Sequence, residues 1–289
     1  MKIHQLELFY HLARNRGVSQ AARALEKEQP TLSKQINELE DELRTRLYHR
    51  RPFSLTGPGR TLFRAIEPFF RDLPKLEAKI KGGDFIRIGA SPIVLAHHLP
   101  AVAKEVRKQF PNYRLQLREF NQPQLEQAAL EGDLDLAITL LPLKSPLKVF
   151  TQPLLRLPLV LLAPKSSPIR TAAQLWSQRE ITQPLICLTD DEAICREFQA
   201  GLRRLGVEWR PQIEVGSLEL VARYVEEGYG LGLSVRIPGA QRSPGLRELE
   251  LPGFEPLTLG LMWHDPRDKL LKAFREAAAA RAGVFAGGN

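Results

Sequence analysis

Apolar residues in the first eighty positions recur at helical spacing, in three short stretches and one long one. Leu6, Phe9, Leu12 and Ala13 predict a first helix from Ile3 to Asn15, which Gly17 ends. Ser19 is placed to cap a second helix carrying Ala21, Ala22 and Leu25, whose small alanines allow a close crossing. Pro30 suits the first turn of a third helix, in which Leu32, Ile36, Leu39 and Leu43 step by 4, 3 and 4 and form one buried stripe. That stripe leaves Thr31, Ser33, Lys34 and Asn37 outside, crowded at the N-terminal end. Such side chains can meet base edges and phosphates, as a helix entering a major groove requires. Leu47, Tyr48, Phe53 and Leu55 then bracket Arg50-Arg51-Pro52 and predict a short two-stranded wing with arginines at its tip. The same spacing would also fit a plain three-helix bundle.

From Pro58 to Lys81 the apolar positions Leu62, Ile66, Phe69, Leu73, Leu76 and Ile80 alternate steps of 4 and 3. This heptad seam favours pairing with a second copy, and a helix packed on its own domain would show the same stripe. Pro68 and Pro74 fall off the seam and predict a kink, or a break near Pro74. Lys81-Gly82-Gly83-Asp84 reads as a hinge. Beyond it strands and helices alternate, the class being α/β. Strands are expected at Phe85–Ala90, Tyr113–Phe120, Leu134–Leu140, Leu157–Ala163, Leu185–Leu188, Gln212–Val215, Leu231–Val235 and Leu257–His264.

Charge sharpens the first part of this picture. The net charge of +8 is concentrated early: residues 1–80 hold 15 Lys and Arg against 10 Asp and Glu. Arg44, Arg46, Arg50 and Arg51 lie in one run with no acid after Glu42, a footprint suited to phosphate. The N-terminal segment has no secretory apolar core, and LPLVLLAP is too short to span a bilayer, so a soluble, non-exported, cytoplasmic protein without a membrane partner is expected. Two cysteines, Cys187 and Cys195, provide no disulfide framework. No Cys/His cluster has zinc spacing, so neither a metal nor a cofactor is expected.

The pattern S-x-A-A-x-x-L…Q-P-T-L-S-K-x-I-x-x-L-E-x-x-L…L-x-x-R…L-T-x-x-G, running from Ser19 through Glu40 and Arg50 to Gly59, resembles the winged helix-turn-helix of LysR-type transcriptional regulators. The family's DNA-contacting positions map onto Gln29, Thr31, Ser33 and Lys34, with the wing at Arg50 and Arg51; Pro30 is grouped with them at the start of the helix, and Asn37 is added from helix geometry. Two positions depart from the family pattern. Glu28 replaces a usual Ser, placing an acid near phosphates, and Arg44 replaces a usual Gly where a left-handed helix end costs about 1 kcal/mol. The resemblance implies a dimerising linker helix, a homodimer or homotetramer on an interrupted palindrome of double-stranded DNA, and RNA polymerase as a further partner. It also implies activation of a target and repression of the protein's own gene.

The runs at Phe110–Ile138 and Val221–Leu233 and the strand LTLGLMWH resemble the same family, so the likeness spans the chain. It implies an α+β multidomain protein: residues 1–57 as DNA-binding domain and 58–81 as linker helix. A two-subdomain effector domain built like a type 2 periplasmic binding protein follows, with residues 85–160 and 265–289 as subdomain I and 161–264 as subdomain II. The chain would cross between them near Leu159 and His264. A small-molecule effector, anionic if it uses helix N-termini, would sit in the cleft. Candidate contacts are Ser91 and Ser217, each opening a helix after a strand, Thr139 at a strand end, and Thr189, which also opens a capping box. Capping alone would explain the same residues. The family includes a peroxide sensor with two cysteines in this region, but here the ninth residue past Cys195 is Arg204 and no resolving thiol follows. A regulator with no effector would have a cleft plugged by apolar side chains. An enzyme on this fold would need a His/Asp/Ser cluster or phosphate loop that is not found, and a transport protein would need an export signal.

Overall fold

A computed structural model describes residues 1–142, 149–238, 243–264 and 266–286. The chain forms two compact units, Met1–Lys81 and Gly82–Asn289. In the first, α1 (Ile3–Arg14), α2 (Val18–Ala24) and α3 (Gln29–Leu43) precede strands β1 (Tyr48–Arg50) and β2 (Phe53–Leu55) and the long helix α4 (Gly57–Ile80). The core is built from the predicted stripe: Leu32, Ile36 and Leu39 pack with Leu8, Phe9, Leu12, Ala21 and Ala22. β1 and β2 pair antiparallel, His49 opposite Ser54, and form the wing.

Four details of this unit correct the expectations. Helix α2 starts before Ser19, so Ser19 caps nothing; its hydroxyl donates to Gln29 Oε1 at 2.9 Å and ties α2 to the start of α3. Arg16, not Gly17, takes the left-handed turn between the first two helices. Leu43 is exposed, because the last turn of α3 runs past the core. Helix α4 runs on through Pro68 and Pro74, which removes the alternative of a break near Pro74. Its first half is not free for a partner: Leu62, Phe63 and Ile66 pack on the helix-turn-helix core, and Tyr10 stacks on Phe63 and Phe70. Arg44 does end α3 in the left-handed region, at φ 51° and ψ 35°.

The second unit contains two five-stranded sheets. Its elements are β3 (Asp84–Ala90), a helical turn at Val94–His98, α5 (Leu99–Gln109), β4 (Tyr113–Glu119), α6 (Gln122–Leu130) and β5 (Leu136–Leu140). Then come β6 (Phe150–Leu157), β7 (Leu159–Pro164), α7 (Ala172–Trp176), β8 (Leu185–Cys187), α8 (Ala193–Leu205) and β9 (Pro211–Glu214). The chain continues through α9 (Leu218–Glu226), β10 (Leu231–Val235), β11 (Leu246–Glu250), β12 (Leu257–Trp263) and α10 (Lys269–Ala286). The first sheet has the order β4-β3-β5-β12-β6 and the second β11-β7-β10-β8-β9.

β3 pairs parallel with β4 and β5, while β12 runs antiparallel between β5 and β6. One hydrophobic cluster joins this sheet to α5 and α10, and another packs Leu125, Ala128 and Ala129 of α6 against Ala137 and Met262. With both faces covered, β3 reads as a nearly continuous apolar run. Asp135, which has no obvious chemistry in the sequence, accepts the Arg87 backbone N–H at 2.8 Å and its Nη2 at 2.9 Å. It therefore clamps β3 to the approach of β5.

Since β12 belongs to the first sheet and β11 to the second, the return crossing lies in residues 251–256 rather than at His264. The stretch 257–264 thus moves from the expected subdomain II to subdomain I; residues 265 and 287–289 of the latter's expected range lie outside the described residues. The outward crossing is at Pro158, where the expected strand Leu157–Ala163 is in fact the end of β6 and the start of β7.

Candidate DNA-binding face and effector cleft

In the first unit, Gln29, Pro30, Thr31 and Lys34 are exposed at the N-terminal end of α3, and Ser33 and Asn37 are half-buried. Arg50 and Arg51 are exposed at the wing. Arg50 Nη2 donates to Asn37 Oδ1 at 3.3 Å, so wing and helix present one polar surface. Two features that the sequence did not advertise hold this surface. Buried Glu40 accepts the Leu47 backbone N–H at 2.7 Å and Arg46 Nη1 at 2.8 Å. Thr56 donates to the Arg46 carbonyl at 2.6 Å and accepts from Gly59 N at 3.1 Å, capping α4 against the wing. Glu28, the expected acid near phosphate, is at the N-cap of α3 without a side-chain capping bond.

In the second unit a cavity of about 370 Å³ lies between the sheets. Ser91, Thr139 and Ser217 border it; Thr189 does not. Thr189 is exposed and donates to Asp191 Oδ1 at 2.6 Å, because α8 begins at an N-cap Glu192, three residues on. Ser217 accepts the Leu220 N–H at 3.3 Å, so it is a helix cap as well as a wall residue. Thr139 is buried, and its hydroxyl lacks a partner among the described residues. The cleft is open, not plugged.

Two residues missed in the sequence join the subdomains at its edge. Glu192 Oε1 accepts the Gln122 backbone N–H at 3.1 Å, and Gln122 Oε1 accepts the Ala193 N–H at 3.2 Å. Each helix N-terminus, of α6 and of α8, is thus satisfied by a side chain from the other subdomain. Burial raises the Glu192 pKa, against the opposing Gln122 hydrogen bond. A raised carboxyl pKa means that the folded state holds this proton more tightly than the unfolded chain. The resulting stabilisation is complete below the ordinary value of 4.5 and disappears as pH climbs through the raised one. Glu192→Gln keeps the acceptor without the charge. Its thermal midpoint is expected to match the native chain's in acid and exceed it at neutral pH; parallel curves would remove Glu192 from the account.

Cys187 and Cys195 are buried and free. Cys195 donates to the Leu188 carbonyl at 3.1 Å, and its pKa is driven upward by the neighbouring Cys187 and by burial. A thiol held protonated in a core is a poor nucleophile. Among the described residues, no group of His, Cys, Asp or Glu is arranged to hold a metal, and no helix is long and apolar enough to cross a membrane.

An N-terminal winged helix-turn-helix joined to a two-sheet domain with a central cleft defines a DNA-binding regulator with an effector domain. Residues 3–60 match the bacterial regulatory helix-turn-helix proteins of the lysR family, and residues 84–283 match the LysR substrate binding domain. The chain therefore belongs to the LysR family of transcriptional regulators. It is 27% identical to the transcriptional regulator CysB of Burkholderia cenocepacia over 86% of this chain and 82% of that protein. It is 26% identical to the dual regulator OxyR of Escherichia coli K12, over 97% and 94%. Full-length CbnR, solved in complex with its target DNA, shares the fold at a TM-score of 0.65 and 16% identity, over 97% of this chain and all (100%) of that one.

Proposed function

We propose that Gln29, Pro30, Thr31, Ser33, Lys34 and Asn37 read the major groove of a bacterial operator while Arg50 and Arg51 hold the flanking phosphates. The observation that carries this is the polar, solvent-facing start of α3, bonded to the wing through Asn37 and Arg50. Phe69, Leu76 and Ile80 remain 54, 49 and 76% exposed on α4, which supports pairing with a second copy through the distal half of the seam. Leu73 lies between them on the same stripe. A paired molecule would present two recognition helices to an interrupted palindrome, and two such pairs would form the homotetramer. The effector occupies the cleft and alters subdomain closure, acting on DNA and through it on RNA polymerase in the cytoplasm. Catalysis forms no part of this reading.

Footprinting upstream of the protein's own coding region tests it. The native chain is expected to protect an interrupted palindrome, weakening with salt, and the Ser33→Ala/Lys34→Ala chain to lose protection. Equal protection by both chains would remove α3 as the reader.

A further inference from the structure

The cavity is unevenly charged. Its acidic wall residues Glu119 and Glu219 are exposed, and Glu192 is already engaged with Gln122. Toward α5 and α10 the wall becomes apolar, through Leu99, Val102, Ala278 and Ala282. Arg281 interrupts this apolar end. Its guanidinium sits over the Phe285 ring at 5.3 Å, and its Nε is buried with no hydrogen-bond partner among the described residues. His98 meets the other side of the problem: its ring packs edge-on to Phe285 at 5.6 Å. Burial first, then the charge of Arg281, lowers the His98 pKa and keeps it from adding a second cation. No carboxylate among the described residues pairs with Arg281. The half-buried Arg281 side chain therefore has an unfilled donor at the cavity wall, and an incoming carboxylate would supply charge-assisted hydrogen bonds.

We propose that the cavity takes an amphipathic monocarboxylate, its apolar body between the sheets and its acid group on Arg281 beside His98. This rests on reading the cleft as the effector site and names the chemical class of its ligand. It also relocates the anion site. The N-termini of α6 and α8 are occupied by each other's side chains, and that of α9 is capped by Ser217, so the acid group goes to the α10 side chain. Phosphates and dicarboxylates fit poorly, because among the described lining residues Arg281 is the one permanent cation, and Glu119, Glu192 and Glu219 oppose a second negative charge. About 370 Å³ accommodates a medium-chain acyl or aryl-alkyl group.

Octanoate, octanamide and acetate, titrated calorimetrically into the full-length chain, test the assignment. Octanoate is expected to bind roughly tenfold or more tightly than octanamide, the usual gain of a charge-assisted contact, and acetate not at all. Arg281→Gln should abolish the preference for the acid over the amide while leaving octanamide binding in place. Arg281→Lys should restore part of it, as a point charge without the planar fork. Equal binding of acid and amide by the native chain, or no binding of either at low-millimolar concentration, would overturn the proposal. So would a preference that survives Arg281→Gln. Operator footprints run on the same samples without carboxylate keep the two readings apart: intact protection with failed octanoate binding rejects the ligand class alone, whereas lost protection in the native chain rejects the regulator geometry.

Discussion

Gly59→Ala is expected to cost the first unit about 3 kcal/mol, a large share of the stability of a domain this small. A Cβ at residue 59 would lie 1.9 Å from the Leu47 carbonyl oxygen and 2.8 Å from its carbon. Both are backbone atoms, so no side-chain rotation relieves the overlap; either α4 or the chain entering β1 must move. Leu47 cannot move cheaply. Its N–H is held by the buried Glu40 carboxylate, and its carbonyl accepts the Thr56 N–H at 3.0 Å. Gly57→Ala is the control: nothing lies within 4 Å of a Cβ there, and a change within about 0.5 kcal/mol is expected. The two units can be followed separately, because all three tryptophans, Trp176, Trp209 and Trp263, are in the second. Gly59→Ala should show an early loss of helical circular dichroism with an unchanged tryptophan transition. At about 4–8 °C per kcal/mol, the first unit's midpoint should fall by roughly 12–24 °C. A single unshifted transition would mean that the wing and α4 yield to each other without cost.

The physical basis of that prediction explains which parts of the molecule can be read in advance. The stripe Leu32, Ile36 and Leu39 is legible because a helix buried along one side repeats its apolar residues regularly. The same regularity misleads at Leu43, where the helix continues beyond the core it packs on. Along α4 the seam looks uniform, yet its first half is consumed within the chain by Tyr10 and the helix-turn-helix core. Periodicity reports that a face is covered, without saying by what.

Strands with one or both faces buried are legible to within a few residues, whereas β6 and the polar β11 are not. β6 contains Pro153, tolerated at an edge where a backbone N–H is not needed by a neighbour, and β11, LRELE, has charges at three of its five positions and so no period-2 apolar pattern. The cleft is the least legible part. Ser91, Thr139 and Ser217 border it because they end strands or open helices, which is visible locally. Gln122, Glu192 and Arg281 lie at α6, α8 and α10, and only the double crossing of the chain brings these helices to one cavity. Nothing in the neighbourhood of any one of them signals the other two.

Arg50→Ala and Ser33→Ala are expected to weaken operator binding in different ways, and the difference tests which side chains hold the DNA and which discriminate between sequences. Arg50 sits on the wing, exposed, with one guanidinium nitrogen on Asn37 and the others free to meet phosphate. Its removal should weaken binding to operator and to unrelated DNA alike, by roughly tenfold per protomer. The dependence of log affinity on log salt should become shallower by about 1 for each phosphate no longer neutralised. Ser33, on the recognition helix, should instead cost about 1–3 kcal/mol on the operator only, leave the salt slope unchanged, and relax discrimination at a single base position. Asn37→Ala separates the two effects. It deletes the half-buried amide of α3 proposed to face the groove and also its bond to Arg50, so it should combine weaker discrimination with a partial loss of salt dependence. Titrations of operator and scrambled duplexes at several salt concentrations would measure all three. An Arg50→Ala defect confined to the operator would make Arg50 a base reader and move the wing into a groove. An unaltered affinity would leave Arg51 and Lys34 as the groups that hold the backbone.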